Sequence, residues 1–345
     1  MAYLEGGVGN QFKADQLRRH LSRRTWLMIC FLFLALHATP WVFPSVLHTM
    51  IMIFLMAIMG QGWNILSGYA GQFSFGHSLF FGLGAYCSSL LFVKTGISPW
   101  FGMVVSVTVA ILVGLFIGFL SFRYGLSGPF FALIMLAFAE IFHMCAMGWN
   151  WVGGAEGVLI PLEGNAPAIM QFTEKDPFFF ILLWLTAASI FFIWKMEGTR
   201  MGLYFQAIRE DNDAAETLGV DSLRYKLTAM AFSAGMTAVG GVFYAQYLLY
   251  IDPDTTFGAI NSIEIMLRPI IGGPATVLGP LLGSLVLTPL AEVTRTAFQA
   301  YSGAYLMFYG AILVVVIIFM PDGLMGVFKK GLAYLQSKKR LPNDG

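Results

Sequence analysis

The longest uncharged stretch of the chain, residues 25–93, holds sixty-nine consecutive positions without an Asp, Glu, Lys or Arg. A helix rises about 1.5 Å per residue and a bilayer core is roughly 30 Å thick, so about 20 apolar residues cross it once. That stretch alone has room for about three crossings. Along the whole chain the pattern predicts ten helical spans, at about 25–43, 46–67, 78–94, 98–122, 129–149, 177–195, 224–250, 260–272, 276–297 and 303–320. Ser98-Pro99, Gly128-Pro129 and Asp176-Pro177 each put proline just inside a helix start, where its missing N–H costs nothing. Pro40 and Pro44 break the chain between the first two spans, and Pro321-Asp322-Gly323 ends the last. The expected fold is an all-α integral membrane protein of about ten transmembrane helices with broken or re-entrant segments.

Charge placement orients these spans. With the N-terminus inside, sixteen of the twenty Lys and Arg fall on the inner side, and the other four are Lys94, Lys175, Arg268 and Arg295. This bias predicts cytoplasmic termini and an even number of spans. It divides the chain into a basic cytoplasmic tail (1–24), a transmembrane domain (25–322) with a cytoplasmic loop at 197–223, and a second basic cytoplasmic tail (323–345). The composition agrees: 11% of residues are charged, against about 25% in an average globular chain. A cleavable signal peptide is not expected, because the polar, basic residues 1–24 lead directly into a full span. Cys30, Cys87 and Cys145 lie in apolar runs without CxxC spacing and are expected to be buried free thiols.

Four stretches carry chemical information. The first is GYAGQFSFGHSLFFGLGAY, residues 68–86, where small residues mix with Gln72, Ser74, His77 and Ser78; Gln61, Asn64 and Ser67 precede it. Backbone at membrane depth cannot face lipid unpaired, so an interrupted helix here must face protein or a water-filled cavity. Two readings stand together: a translocation path involving Asn64, Ser67, Gln72, Phe73, Ser74, His77, Phe80 and Tyr86, and tight helix packing through small residues. His77 fits a hydrogen-bonded or pore-lining role; no GxSG pattern supports it as a catalytic base.

The second stretch, residues 201–227, is the longest charged segment between spans. Asp213 and Glu216 have capping-box spacing, and Gly219 suits the position just past a helix end. Asp221 or Ser222 can cap the next span. A short helix with an exposed acidic face follows, with Ala214, Ala215 and Leu218 for docking; it is either a coupling helix for another subunit or a solvated connector. The third stretch, GGPATVLGPLLGS at 272–284, bends the chain between two spans, and the fourth, VGGAEG at 152–157, lies in a long outer loop.

Ionisable residues inside spans are costly and informative. Glu140 has no evident partner and is expected to pair across the bundle or be protonated. Glu264 and Arg268 stand i, i+4 and can pair, while Asn261 and Glu264 also have capping-box spacing. No GxxxxGK[ST], HExxH or Cys/His metal cluster occurs, and no long charged segment suggests nucleic-acid binding. The chain is therefore not expected to be an enzyme or to bind a cofactor or metal.

The stretches GYAGQFSFGHSLFFGLGAY, AIREDNDAAETLGVDSLRYKL, SIEIMLRPIIGG and GGPATVLGPLLGS, in this order, resemble the permease subunits of branched-chain amino acid ABC importers, specifically the longer of the two permeases. The resemblance covers roughly residues 45–325. It implies the ABC importer permease fold, a second homologous permease, two cytoplasmic ATPases that hold ATP and magnesium, and a periplasmic solute-binding protein, all at the bacterial inner membrane. It implies that residues 206–221 are the coupling segment, with Arg209, Glu210, Asp211, Asp213, Glu216, Leu218 and Gly219 facing an ATPase, and that 67–86 belong to the central path. Two departures touch the inner path: Pro274 and Ala275 stand where the family has a glycine- or threonine-rich turn, and Arg268 where it is mostly apolar. Urea, short-amide and aromatic-acid importers have similar permeases. A rival reading, an ion-coupled secondary transporter, would use Glu140 and Arg268.

Overall fold

The computed structural model describes residues 36–297, with 307, 310, 311 and 323–326. The chain divides into two compact units, residues 1–47 and 48–345. In the first, the described residues form a short helical turn at Thr39–Val42 and a 3-10 turn at Pro44–Val46. Residues 25–35 of the expected first span lie outside the described residues, as does most of the last span.

The second unit is built from α1 (Leu47–Trp63), which continues as a π-helical turn at Asn64–Tyr69, α2 (His77–Thr95), α3 (Pro99–Arg123), α4 (Gly128–Gly148), α5 (Asp176–Glu197), α6 (Arg200–Glu210), α7 (Asn212–Thr217), α8 (Ser222–Leu248), α9 (Pro253–Phe257), α10 (Ala259–Gly272) and α11 (Gly279–Ala297). Two short antiparallel strands, β1 (Val158–Leu159) and β2 (Tyr250–Ile251), pair Val158 with Ile251 and Leu159 with Tyr250. The three proline-marked starts open α3, α4 and α5 as expected.

Among the described residues, six helices are long and apolar enough to cross a membrane: Pro44–Tyr69, α2, α3, α4, α5 and α8. Of these, α3 is the least buried, and α1, α2 and α8 carry most of the core. The expected span at 260–272 is corrected. Its helix, α10, has 14 residues, about 21 Å of rise, and falls short of a bilayer core. It begins beside α2 rather than at a bundle surface: Ser262 Oγ accepts the Ser78 N–H at 2.8 Å. At its other end it folds back into α11 so closely that a Cβ on Gly272 would strike the carbonyl of Gly279.

Small residues let the central helices touch. A Cβ on Gly84 of α2 would collide with the Ala238 carbonyl of α8, so the two backbones are in direct contact. The free thiols differ from expectation. Cys87 is half-buried and Cys145 exposed, because Cys145 lies on an outward face of α4 together with Ile141 and Met144; Cys30 lies outside the described residues.

Candidate functional site

Between the π-helical end of α1 and the start of α2, residues 70–76 leave helical geometry at membrane depth. His77 Nε2 lies 2.8 Å from Ser233 Oγ. Ser233 is eleven residues into α8, about 16 Å along that helix, so α2 starts well inside the bundle. Backbone in this position needs partners, and the polar residues of the motif supply them. Ser67 Oγ donates to the Gln72 carbonyl at 3.0 Å and accepts the Ser74 N–H at 3.2 Å. The Trp63 indole donates to the Ser74 carbonyl at 2.9 Å, and the Gln72 amide to the Ala70 carbonyl at 3.0 Å. Ser74 Oγ accepts the Gly76 N–H at 3.3 Å and lies 3.1 Å from His77 Nδ1. Both ring nitrogens of His77 thus face hydroxyls, in a fully buried site.

Three of the four informative stretches meet at one end of the bundle, here the loop end. Asn64 grips the turn after α10 with its whole amide: Nδ2 donates to the Thr276 carbonyl at 2.9 Å and Oδ1 accepts the Ala275 N–H at 2.8 Å. Gln61 Nε2 donates to the Val277 carbonyl at 2.8 Å. From the charged segment, Arg209 Nη1 donates to the Gly68 carbonyl at 3.1 Å, and its Nη2 contacts Glu210 Oε1 at 2.7 Å. One guanidinium therefore joins the loop between α5 and α8 to the broken segment.

The charged segment forms α6 and α7. The N-cap of α7 is Asp211, not Asp213: an Asp211 carboxylate oxygen accepts the N–H of Asp213 and of Ala214, both at 3.0 Å. Asp211 wins because it has the extended backbone an N-cap needs (φ −157°, ψ 112°), while Asp213 is already helical. Glu216 accepts instead from the Asn212 side chain, at 3.1 Å. Gly219, left-handed at φ +86°, closes the helix, and Asp221 caps α8. Ala215 alone of the three small apolar positions is buried; Ala214 is exposed and Leu218 is 85% exposed. Glu210, Asp211, Asp213, Glu216 and Gly219 are exposed as well.

Toward the other end of α8, β2 leads into α9, which caps this part of the bundle. Asp252 accepts the Thr255 N–H at 2.8 Å as the N-cap of α9. Phe257 is 3% exposed and lies so close to α2 that a Cβ on Gly82 would strike its ring; its centroid is 5.4 Å from that of Tyr86. The clasp on α9 is His143 of α4, with Nε2 2.9 Å from Asp254 Oδ1 and Nδ1 3.4 Å from Glu140 Oε1. Glu140 is thus neither paired across the bundle nor isolated, because α4 itself carries its partner one turn on. Asn261 does not cap α10: the helix starts at Ala259, and Asn261 Nδ2 donates to the Asp254 carbonyl at 3.2 Å. Glu264 and Arg268 do pair, at 3.3 Å, and the guanidinium also donates to the Glu264 carbonyl. Arg268 is 1% exposed and its Nε has no hydrogen-bond partner among the described residues.

Of the path residues, Asn64, Gln72, Ser74, His77, Phe80 and Tyr86 are buried, while Ser67 and Phe73 are half-buried. Phe73 stacks edge-on against Trp63 and Phe75, with centroids at 5.5 and 5.2 Å. In this structure these side chains pack or hydrogen-bond rather than line an open channel. Two surface grooves, of about 580 and 270 Å³, are lined by residues of α3, α4 and α8 and by none of the path residues. Sequence reasoning missed Ser233, Ser262, His143 and Asp254. Only the His143–Glu140 contact had a local signal, its i, i+3 spacing.

Residues 45–317 match the family described as branched-chain amino acid transport system, permease component. The chain belongs to this family. It is 27% identical over 300 residues to the high-affinity branched-chain amino acid transport system permease protein LivM of Salmonella typhimurium, covering 80% of this chain and 68% of that one. To the probable branched-chain amino acid transport permease protein LivM of Methanocaldococcus jannaschii it is 21% identical over 318 residues, 79% of this chain and 90% of that one. A shorter match, 27% over 150 residues, joins it to the autoinducer 2 import system permease protein LsrC of Salmonella paratyphi B, covering 42% of this chain and 41% of that one. No solved structure matches the chain at a significant level. With its apolar helices, the permease is a multi-pass membrane protein of the LivM type, a component of the ABC-type branched-chain amino acid transporter family.

Proposed function

We propose that this permease is the translocating subunit of an ATP-driven importer in the bacterial inner membrane, carrying branched-chain or other small amino acids. A second homologous permease completes the path. Two cytoplasmic ATPases, with ATP and magnesium, supply the power, and a periplasmic binding protein delivers the solute; the chain itself binds no nucleotide and catalyses no reaction. Both basic tails and the 197–223 loop lie in the cytoplasm, and α10 enters the bundle as a half-span rather than a crossing. The LivM relatives support the amino-acid reading. The LsrC match supports a wider solute range for this architecture, in which urea, short amides and small aromatic acids are the alternatives.

The observation that carries the proposal is the Arg209–Gly68 hydrogen bond. The acidic, outward-facing α7 is the surface an ATPase would press on, through Glu210, Asp213, Glu216 and Leu218. Arg209, on α6, ties that helix to the π-helical turn that opens the broken segment, so a displacement of the loop is delivered to a part of the bundle that is not a regular helix. The segment from Asn64 to Tyr86 then opens between this chain and its partner, passing a neutral or zwitterionic solute by alternating access.

The test uses the importer reconstituted with all its subunits. Gly219→Pro, which cannot adopt the left-handed backbone, and Glu216→Arg, which reverses the charge on α7, are expected to abolish solute uptake while the permease stays in the membrane and ATP hydrolysis continues. Normal uptake in both variants would overturn the coupling role.

A further inference from the structure

A groove of about 580 Å³ runs along the outer surface where α3 and α8 meet. Its wall is mostly apolar, formed by Leu115, Leu223, Leu227, Ala231 and Phe232 with Thr228, whose hydroxyl is turned to the Arg224 carbonyl, and its end carries two charges, Asp221 and Arg224. From Arg224 to Phe232 is eight residues of α8, about 12 Å. The groove is therefore a strip that begins at the charged boundary of the span and extends into its hydrocarbon depth. It opens on α3, the least buried of the six long helices, whose outward residues Leu112, Phe116 and Phe119 are all exposed.

The two charges are unpaired with each other, and the Asp221 carboxylate is fixed in place. Asp221 is held by its capping role, with one carboxylate oxygen 3.0 Å from the Arg224 N–H. The Arg224 guanidinium is exposed and makes no hydrogen bond or ion pair among the described residues. The neighbouring cation Lys226 is turned away: it is 8% exposed and lies over the Phe122 ring, 5.8 Å from its centroid. The groove thus ends in one free cation and one free carboxylate oxygen side by side. A purely anionic headgroup matches only the first of these.

We propose that this groove is a binding site for an aminophospholipid, of the phosphatidylethanolamine class, from the leaflet on the loop side. The Arg224 guanidinium takes the phosphate, the Asp221 carboxylate accepts from the primary ammonium, and one acyl chain lies along Leu227, Ala231 and Phe232. Basic pockets between transmembrane helices are a recognised form of lipid recognition, and the carboxylate narrows it to a zwitterionic headgroup with N–H donors. The inference rests on the chain's membership of a membrane permease family and not on its solute or on the coupling role of α7.

The experiment titrates the delipidated importer in detergent with phosphatidylethanolamine, phosphatidylcholine and phosphatidylglycerol of identical acyl chains, reading bound lipid by native mass spectrometry. The ethanolamine lipid is expected to bind about fivefold more tightly than the choline lipid, the size of one exposed ion pair. Asp221→Asn keeps the helix cap and is expected to erase that preference alone. Arg224→Gln is expected to weaken all three lipids, and Ala231→Trp to exclude them by filling the groove, while Arg123→Gln, outside the groove, changes nothing. Soluble phosphoethanolamine is expected not to compete. Competition by that headgroup would place the site's chemistry in a free phosphate ligand and overturn the lipid reading. Tightest binding of the glycerol lipid would overturn the carboxylate's role. An unchanged lipid count in Ala231→Trp would show the groove covered by another subunit and end the proposal.

Discussion

The two ends of the broken segment are closed by different chemistry. At the loop end, side-chain amides and a guanidinium reach main-chain groups: Asn64 to residues 275 and 276, Gln61 to Val277, Arg209 to Gly68. On the α9 side, closure rests mainly on one aromatic ring, Phe257 over Gly82, and on the side chains that hold Asp254, His143 at its carboxylate and Asn261 at its carbonyl. Main-chain partners cannot be removed by changing a single residue's side chain, and they move only when their segment moves. A ring and a side-chain clasp can let go while every backbone-to-backbone hydrogen bond within the helices stays intact. The loop end is suited to transmitting motion and the α9 side to yielding to it.

Three substitutions separate these cases. The largest effect is expected at the loop end from Gly272→Val, whose side chain would occupy the Gly279 carbonyl and drive α10 from α11; no folded permease should be recovered by size-exclusion chromatography of detergent extracts. On the other side, Phe257→Ala removes a buried ring, a loss of about 3 kcal/mol or more. It should lower the thermal midpoint while still giving an assembled protein. Recovery of folded Gly272→Val together with loss of Phe257→Ala would invert the comparison. The smallest effect is expected from His143→Gln, which removes a contact to a largely exposed carboxylate worth up to about 1 kcal/mol. Its measurable consequence should be faster hydrogen exchange in 253–257 with no change in 64–69.

The long spans were legible in the sequence because nothing else explains so many uncharged residues in a row, and prolines marked several starts. What escaped was decided by three-dimensional geometry, through partners distant in sequence or through local backbone angle. The pattern at 260–272 is as apolar as a span, yet α10 is half of one, because Ser262 is anchored to Ser78 inside the bundle. The polar residues of the 68–86 motif were visible as a peculiarity, but their task of pairing the extended backbone at 70–76 needed Ser67 and Trp63 in place, and His77 needed Ser233. Asp211 and Asp213 compete for the same cap within three residues, and spacing alone cannot choose between them; backbone angle does. The Asn261–Glu264 spacing was a coincidence of composition, since Gly258 already ends α9 and α10 is under way before Asn261.

The sequence distances behind the broken segment bear on how the polypeptide is made. Gly68 is joined to a residue 141 positions later, His77 to one 156 later, Ser78 to one 184 later and Asn64 to one 211 later. At 5–20 residues per second, a ribosome takes on the order of 10–40 s to produce those partners. During that interval residues 64–78 must be sheltered by the insertion machinery or remain outside the lipid. Premature termination before residue 276 therefore leaves a nascent chain whose Asn64 amide, deep in the bundle, lacks the partners that bury it.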